Sequence, residues 1–444
     1  MSTIGPKVGI LTLGCKVNQY ESEAIAEGFA AHGATILPPS ETCDIYVINT
    51  CTVTSESDRK SRQQIRRLIH QNPSAIVLVT GCLAQTSPGT LKVIRGVDCL
   101  IGNTRKMDVV SEGMKLWELR SKTDTPPCLI DDIDNAPFEP MTIQRFDRTR
   151  AYVKIEDGCE NRCSYCIIPK ARGKVRSKPM EDVLREVQSL TNSGCKEIVL
   201  TGIETASYGK DLENTDLASL LVKVDAIKGI GRVRLGSLDP SLITSRFISV
   251  ISGLSSLTPH FHLSLQSGSN KILALMRRKY NAEQAMQNII RLKAAIPHVT
   301  LTTDVIVGFP QETDEDFEQT VAFAKRAQFL MMHVFPYSER TGTPATNMDG
   351  SVDTAVRHER VRKLQAVAAE IRAELIKDKV RCTDACEVLF ETFDNGMCMG
   401  HSADFFSFTV LSDTPLNGEI HTVKPLHHDG NVIHARLINK NDER

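Results

Sequence analysis

No apolar run in this chain of 444 residues approaches the roughly 18 that a membrane span needs. The stretch from Met1 to Lys16 also lacks the basic segment and long apolar core of a secretory leader. The formal net charge is only −1, which excludes nucleic-acid binding through the overall field and leaves that task to local basic patches. No internal repeat or low-complexity segment is present. Cysteine is not scarce, but 13 is an odd count in a long chain, without the dense pairing of a small secreted scaffold, so ligands and free thiols are expected rather than disulfides. These absences predict a soluble protein of a reducing compartment, the cytoplasm. At about 150 residues per domain, the length predicts roughly three domains.

Strand and helix alternate through residues 1–119. Apolar runs at Val8–Leu13, Asp44–Asn49 and Ala75–Thr80 read as strands, and Glu21–His32 and Ser55–His70 as helices. This is the pattern of a doubly wound parallel sheet. Residues 120–148 hold Pro126, Pro127, Pro137 and Pro140 without periodicity and read as a linker. In 149–377, strands are expected at Tyr152–Ile155, Glu197–Thr201, Arg232–Gly236, His260–Leu265, Thr300–Val307 and Met332–Tyr337. Six β/α units are too few for a closed eight-stranded barrel and predict an open, partial (β/α)6 barrel. A charged helix over about Val352–Val380 leads into 378–444, where short alternating runs with Asn-Gly and Asp-Gly pairs predict a small all-β module.

The most specific chemistry lies in Gly158-Cys159-Glu160-Asn161-Arg162-Cys163-Ser164-Tyr165-Cys166. This C-x3-C-x2-C spacing supplies three corners of a metal centre, and no fourth Cys or His follows at zinc-finger spacing. An iron–sulfur cluster with one iron left open fits better. A second set is remote in sequence. Cys15, Cys51 and Cys82 each fall just past the carboxyl end of an expected strand, the edge where open parallel sheets bind ligands. Three buried core thiols are the plainer reading, but the repeated placement beside Gly14, Thr50 and Gly81 favours ligation.

The triplet, with an aromatic before its last cysteine, resembles the signature of the radical S-adenosylmethionine (SAM) superfamily, in which SAM chelates the open iron. A cluster that makes a radical, beside one that presents sulfur, suggests conversion of C–H to C–S. The wider set of motifs is similar to the methylthiotransferase family over essentially the whole chain. It comprises Leu13-Gly14-Cys15-Lys16-Val17-Asn18-Gln19-Tyr20, Asn49-Thr50-Cys51, Gly81-Cys82-Leu83-Ala84-Gln85, the triplet, His262-Leu263-Ser264-Leu265-Gln266-Ser267-Gly268 and His333-Val334-Phe335-Pro336-Tyr337-Ser338. That resemblance implies an N-terminal methylthiotransferase domain, a radical-SAM barrel and a C-terminal TRAM barrel that grips RNA. It also implies two 4Fe-4S clusters, held by Cys159, Cys163 and Cys166 and by Cys15, Cys51 and Cys82, and SAM as both radical source and methyl donor. An electron donor such as flavodoxin or ferredoxin and a sulfur source complete the implied partners. Lys16-Val17-Asn18 is most similar to the branch that modifies C2 of N6-threonylcarbamoyladenosine at adenosine 37, in the tRNA anticodon stem-loop. The isopentenyladenosine branch usually has Gln-Met-Asn there, and the branch acting on a ribosomal-protein aspartate Pro-Lys-Asn.

The same resemblance implies SAM contacts at Tyr165, Thr201, Gly202, Ser264, Gln266, Asp304 and Gly308, although Glu204-Thr205 departs from the expected text after Gly202. Two basic runs, Arg59/Lys60/Arg62/Arg66/Arg67 and Arg172/Lys174/Arg176/Lys178, suit tRNA phosphates or simple solvation. Cys382, Cys386 and Cys398 match no motif and read as free thiols. A non-catalytic iron–sulfur RNA-binding sensor leaves the SAM-facing segments unexplained, and a corrinoid enzyme lacks its D-x-H-x-x-G motif.

Overall fold

The computed structural model describes residues 5–120, 122, 125–146 and 148–438. Its first sheet is parallel, with strands β1 (Lys7–Thr12), β2 (Thr35–Leu37), β3 (Ile45–Thr50), β4 (Ile76–Gly81), β5 (Cys99–Ile101) and β6 (Cys128–Leu129) in the order β2-β1-β3-β4-β5-β6. β3 and β4 are buried along their whole length, as strands covered on both faces must be. Helix α1 (Lys16–Ala31) follows β1, and α2 (Ser55–Gln71) follows β3. Thr54 caps α2 by accepting from the Ser57 amide at 3.1 Å, and Glu56 and Asp58 complement its dipole.

The stretch expected as a linker, 120–148, is tied down. Its β6 joins the sheet edge beside β5, and Met141 and Ile143 are buried. A two-residue strand between prolines is too short to register as a period.

The six expected barrel strands form as two parallel sheets. β7 (Arg150–Lys154) belongs to the first; β8 (Glu156–Asp157) and β9 (Arg176–Ser177) make a small ribbon beyond it; β10 (Glu197–Thr201) and β11 (Arg232–Leu235) complete the order β11-β10-β7. β12 (Ser237–Leu238) continues the chain after Gly236 into the second sheet, with β13 (His260–Gln266), β14 (Thr300–Val307) and β15 (Met331–Pro336). The barrel stays open between β7 and β15, and α1 packs along β7.

A 29-residue helix, Thr354–Cys382, leads to a closed barrel of β16 (Cys386–Asp394), β17 (Met397–Ser402), β18 (Ser407–Leu411), β19 (Ile420–His428) and β20 (Ile433–Leu437). The alternating runs expected here are Ala385–Phe390, Phe405–Leu411, Gly418–Val423 and Val432–Leu437, without β17, because Met397-Cys398-Met399-Gly400 has no β-branched residue; Asn395 and Gly396, both at positive φ, turn the chain into it. This module docks on the amino ends of the open barrel's strands. The Phe405 ring stacks on His260 at 4.3 Å and on His401 at 4.8 Å, with the Arg234 guanidinium 4.8 Å from its centre. Among the described residues no helix is long and apolar enough to cross a membrane.

The first domain meets the barrel through charges with almost no access to water. Glu21 of α1 pairs with Lys106 at 2.7 Å, Lys154 at 2.9 Å and Arg172 at 2.5 Å, and Asp157 pairs with Lys154 at 2.9 Å and Arg172 at 3.1 Å. Burial alone would raise the Glu21 pKa, but Arg172, Lys106 and Lys154 outweigh it and hold the carboxyl well below its usual range. Removing one partner from such a network leaves the others buried and uncompensated. Glu21→Gln is therefore expected to lower unfolding stability by about 3 kcal/mol or more, read from denaturant midpoints of the full chain; a change under about 1 kcal/mol would mean that the network is not holding the domains.

Candidate active site

Three β-strand ends bring Cys15, Cys51 and Cys82 together. Cys15 follows β1 and Cys51 follows β3, the neighbours between which strand order reverses, and Cys82 follows β4; this is where a doubly wound sheet opens its crevice. Asn18 fastens the first two ends by donating to Leu13 O at 2.8 Å and Thr50 O at 3.0 Å. Gly81 turns the third at φ +97°, where a Cβ would sit 2.4 Å from Thr50 O. Cys82 Sγ accepts from Arg172 Nε at 3.3 Å, with Asn103 Nδ2 at 3.8 Å.

Cys159, Cys163 and Cys166 occupy the loop between β8 and the short helix Ile168–Arg172. Gly158, at φ +88°, lets this loop pass so close to Lys174 that a Cβ would lie 1.9 Å from Lys174 O. Cys163 Sγ accepts from Arg278 Nη1 at 3.3 Å, and Cys166 Sγ from the Ile168 amide at 3.4 Å. Arg278 is in turn held by Asp239 at 2.7 Å and Ser264 O at 3.0 Å. No sequence motif pointed to Arg278 or Asn103 as sulfur partners.

Burial pushes the Cys51 thiol up to about 11 and those of Cys159 and Cys166 up to about 12. Buried thiols of this kind stay protonated until a cationic centre draws them out as thiolates. Among the described residues no three Cys, His, Asp or Glu side chains gather as ligands of a single ion. A cluster asks for a wider spacing, because each cysteine holds a different iron.

Two adjacent cavities with a common wall lie against the cysteine sets, with Cys166 lining one and Cys15 and Cys51 the other. One of about 240 Å3 is lined by Tyr165, Cys166, Gln266, Asp304 and Ile306. The other, about 1020 Å3, is lined by Gly14, Cys15, Cys51, Lys60 and His358. Val53, Thr54 and Phe335–Ser338 border both. Gln266 holds φ +70°, unusual for a side chain of its size, at the wall of the smaller cavity. Asp304 is anchored there by His262 Nε2 at 3.2 Å.

The other expected SAM contacts are placed differently. Ser264 contributes its carbonyl to Arg278 and Tyr280. Thr201 is buried, and Gly202 abuts Glu156, whose Oε2 lies 2.5 Å from where its Cβ would be. Gly308, at φ +71°, packs against Arg357 of the long helix, whose Cγ lies 2.3 Å from its imagined Cβ.

The basic run after the triplet is not a solvent face. Arg172, Arg176 and Lys178 are buried, and only Lys174 is exposed. Their acidic partners include Asp157 and Glu186, remote enough that a local charge pattern cannot reveal them. On α2, by contrast, Arg59, Lys60, Arg66 and Arg67 are exposed, and Arg59 is engaged by Glu56 at 2.6 Å.

Residues 153–324 match the radical SAM superfamily, and residues 7–102 match the uncharacterized protein family UPF0004. The chain is 41% identical over 425 residues to the threonylcarbamoyladenosine tRNA methylthiotransferase MtaB of Bacillus subtilis, covering 94% of this chain and 93% of that one. It is 36% identical over 373 residues to the tRNA-2-methylthio-N(6)-dimethylallyladenosine synthase of Thermoanaerobacter pseudethanolicus, covering 82% and 78%. Among solved structures it is similar to the radical S-adenosylmethionine methyltransferase TsrM from Kitasatospora setae with cobalamin and a 4Fe-4S cluster bound, with a TM-score of 0.56, 15% identity and 77% of each chain covered. At that identity the likeness concerns the fold alone.

Beside the triplet, Glu204 accepts from Asn161 Nδ2 at 3.0 Å and donates its amide to Glu156 Oε2 at 2.8 Å. Burial, then the charge of Asp239, pushes the Glu204 carboxyl up to about 7. A carboxyl whose folded pKa exceeds its unfolded value supports the fold below the unfolded pKa, near 4.5, and loses that support as pH rises toward 7. Glu204→Gln should therefore match the parent in stability near pH 4.5 and exceed it at pH 7.5, by an amount on the order of 3 kcal/mol. Urea unfolding across that range checks it; a pH-independent difference would contradict the shift.

Proposed function

The chain belongs to the radical-SAM tRNA methylthiotransferases, and from that premise we propose that it methylthiolates C2 of N6-threonylcarbamoyladenosine at adenosine 37 of tRNA. The observation that carries this reading is that Cys166 of one set and Cys15 and Cys51 of the other line two adjacent cavities with a common wall, in a chain 41% identical to a relative named for that substrate. SAM and an iron–sulfur cluster are its cofactors. We assign the radical-SAM cluster to Cys159, Cys163 and Cys166, and a second, auxiliary 4Fe-4S cluster to Cys15, Cys51 and Cys82.

The residues present suit both groups. Arg172, Asn103, Arg278 and the Ile168 amide aim N–H groups at cysteine sulfurs, which favours anionic thiolate-bound clusters. Glu156 Oε1 and Glu204 Oε1 are buried without a hydrogen-bond partner among the described residues, and they would accept from the SAM amino group. Tyr165, Gln266 and Asp304 would wall the adenosine side of SAM. When bound, these groups supply one-electron cleavage of SAM and a sulfur for insertion. The protein's own work is to hold both sites at fixed separation, to exclude water, and to admit one base between them. Lys60, which lines the larger cavity, and the exposed Arg59, Arg66 and Arg67 of the same helix supply phosphate contacts that position the tRNA. The enzyme works in the cytoplasm, drawing electrons from a donor such as flavodoxin or ferredoxin and sulfur from an external source.

Mass spectrometry of tRNA nucleosides from a host lacking the modification, with and without this protein, tests the substrate. The expected product is 2-methylthio-N6-threonylcarbamoyladenosine. A methylthio-isopentenyl product would move the enzyme to the sister branch, and no new nucleoside would overturn the reading. Alanine at Cys159, Cys163 or Cys166 should abolish formation of 5′-deoxyadenosine. Alanine at Cys15, Cys51 or Cys82 should spare it while abolishing sulfur insertion; normal product from those variants would sink the division of labour.

A further inference from the structure

We propose that a polar cleft across the seam between the first domain and the barrel, walled by Arg62, Lys170 and Arg340, binds one backbone phosphate of the tRNA beside the target adenosine. The inference rests on the methylthiotransferase reading above and specifies where the substrate strand is gripped.

The cleft, about 470 Å3, is built by both domains. Asp58 and Arg62 come from α2, and Thr86 and Ser87 from the end of the short helix that begins at Cys82. The barrel contributes Lys170, from the short helix after the cysteine triplet, and Glu339, Arg340 and Thr341, from the loop after β15. Two hydrogen bonds clamp that loop to α2: Arg340 Nη1 donates to Asp58 Oδ2 at 2.8 Å, and Ser55 Oγ to Glu339 O at 2.8 Å. The cleft therefore exists only while the two domains are docked.

Its charges do not balance. Asp58 stands four residues before Arg62, the spacing of a helical ion pair, but is taken by Arg340. Glu339 is paired with Arg357 at 3.3 Å. Lys170 donates to Gly342 O at 2.7 Å, which fixes its ammonium without neutralising it. Gly342, at φ +85°, permits that approach, since a Cβ there would lie 2.6 Å from Lys170 Nζ. Among the described residues no hydrogen bond or ion pair reaches Arg62. Arg340 is more than nine-tenths buried, and its Nε has no acceptor among them. Two cations thus stand uncompensated and a third keeps a spare donor, beside the Ser87 and Thr341 hydroxyls. Such a set is a site for an oxyanion.

The neighbours of the cleft identify the oxyanion. Ser55 and Glu339 line both the cleft and the larger cavity, where Cys15 and Cys51 lie. Ile167 lines both the cleft and the smaller cavity, beside Cys166. A base drawn out of its stack to enter between the cysteine sets leaves its ribose at the mouth, with a phosphate on either side. The cleft abuts both cavities and is positively charged, so a flanking phosphate reaches it while the base is seated. Such a contact reads no sequence but holds the strand in register. Arg62 belongs to the first domain and Lys170 and Arg340 to the barrel, so the same phosphate bridges the seam. Free phosphate shares this chemistry, and neutralising single linkages of the RNA separates the two sources.

The test is equilibrium binding of fluorescein-labelled anticodon stem-loop RNA, carrying threonylcarbamoyladenosine, to the full-length, cluster-loaded protein. Neutral methylphosphonate linkages are placed one at a time around adenosine 37. In the parent, one linkage flanking that adenosine should weaken binding by about tenfold to a hundredfold, the range of one charge-assisted hydrogen bond. Arg62→Gln should lose about as much on the unsubstituted RNA and lose nothing further at that linkage. It should also flatten the slope of log affinity against log salt by about 0.7, the value of one phosphate in a single strand. Lys170→Gln should behave alike, and Arg62→Lys should recover part of the loss. The proposal is overturned if neither flanking linkage matters to the parent, if variant and methylphosphonate losses multiply at every position, or if Arg62→Gln keeps the parent's salt slope. Those outcomes would leave the cleft to a free oxyanion or to solvated cations. The linkage scan uses the parent protein, so it decides even if the variants fail to fold. A parent that does not bind the stem-loop would instead overturn the tRNA reading beneath the proposal, and the proposal with it.

Discussion

Arg172 is fully buried and joins one cysteine set to the seam between the first domain and the barrel. Its guanidinium bonds to Glu21 and Asn18 of the first domain, to Asp157 of the barrel ribbon and to Cys82 Sγ. Cys166 lies only a short helix away along the chain. One side chain therefore ties Cys82 of the auxiliary set to the seam between the two domains. Burying so many charges is costly unless every one is matched. Here Glu21 and Asp157 are shared among Arg172, Lys106 and Lys154, so each charge has an opposite neighbour although the three cations outnumber the two carboxylates, and these interlocked pairs hold the seam. A reaction that passes an atom between two metal centres requires a fixed separation, because misplacement by about 1 Å can cost a hundredfold in rate.

The remaining architecture isolates that seam. The closed β module caps the amino ends of the barrel strands through Phe405 and its flanking histidines and Arg234, leaving the carboxyl ends, with their cysteines, to face the first domain. The open side between β7 and β15 is where α1 packs. Thus the sequence following Cys15 does two jobs within one turn and a half of helix. Asn18 ties two strand ends together, and Glu21 anchors the ion network. Val17 and Tyr20 are buried on the same helix, and the Tyr20 hydroxyl bonds to Met141 O at 2.7 Å and to Glu186 at 3.0 Å.

Much of this was legible in the chain because its signals are local. Cysteines just past apolar runs mark the carboxyl edge of a parallel sheet, and a tight cysteine triplet after a strand marks a cluster loop, whatever lies elsewhere. What was not legible depends on partners far along the chain. Arg172, Arg176 and Lys178 look like an RNA-binding face until Glu21, 151 residues from Arg172, arrives to neutralise it. The close packing of Gly308 against Arg357 of the long helix is likewise invisible to any local pattern. Arg278 carries no motif, and only the fold brings it to Cys163. The edge strand β6 and the hairpin strand β17 escaped because one is two residues long and the other lacks β-branched residues.

The account turns on two clusters sharing one crevice, and Mössbauer spectroscopy with iron and sulfide analysis of the anaerobically reconstituted full chain tests it most directly. Two 4Fe-4S clusters per chain are predicted, with addition of SAM perturbing one of them and loss of Cys15, Cys51 and Cys82 removing the other. A single cluster per chain, unchanged when those three cysteines are replaced, would contradict it.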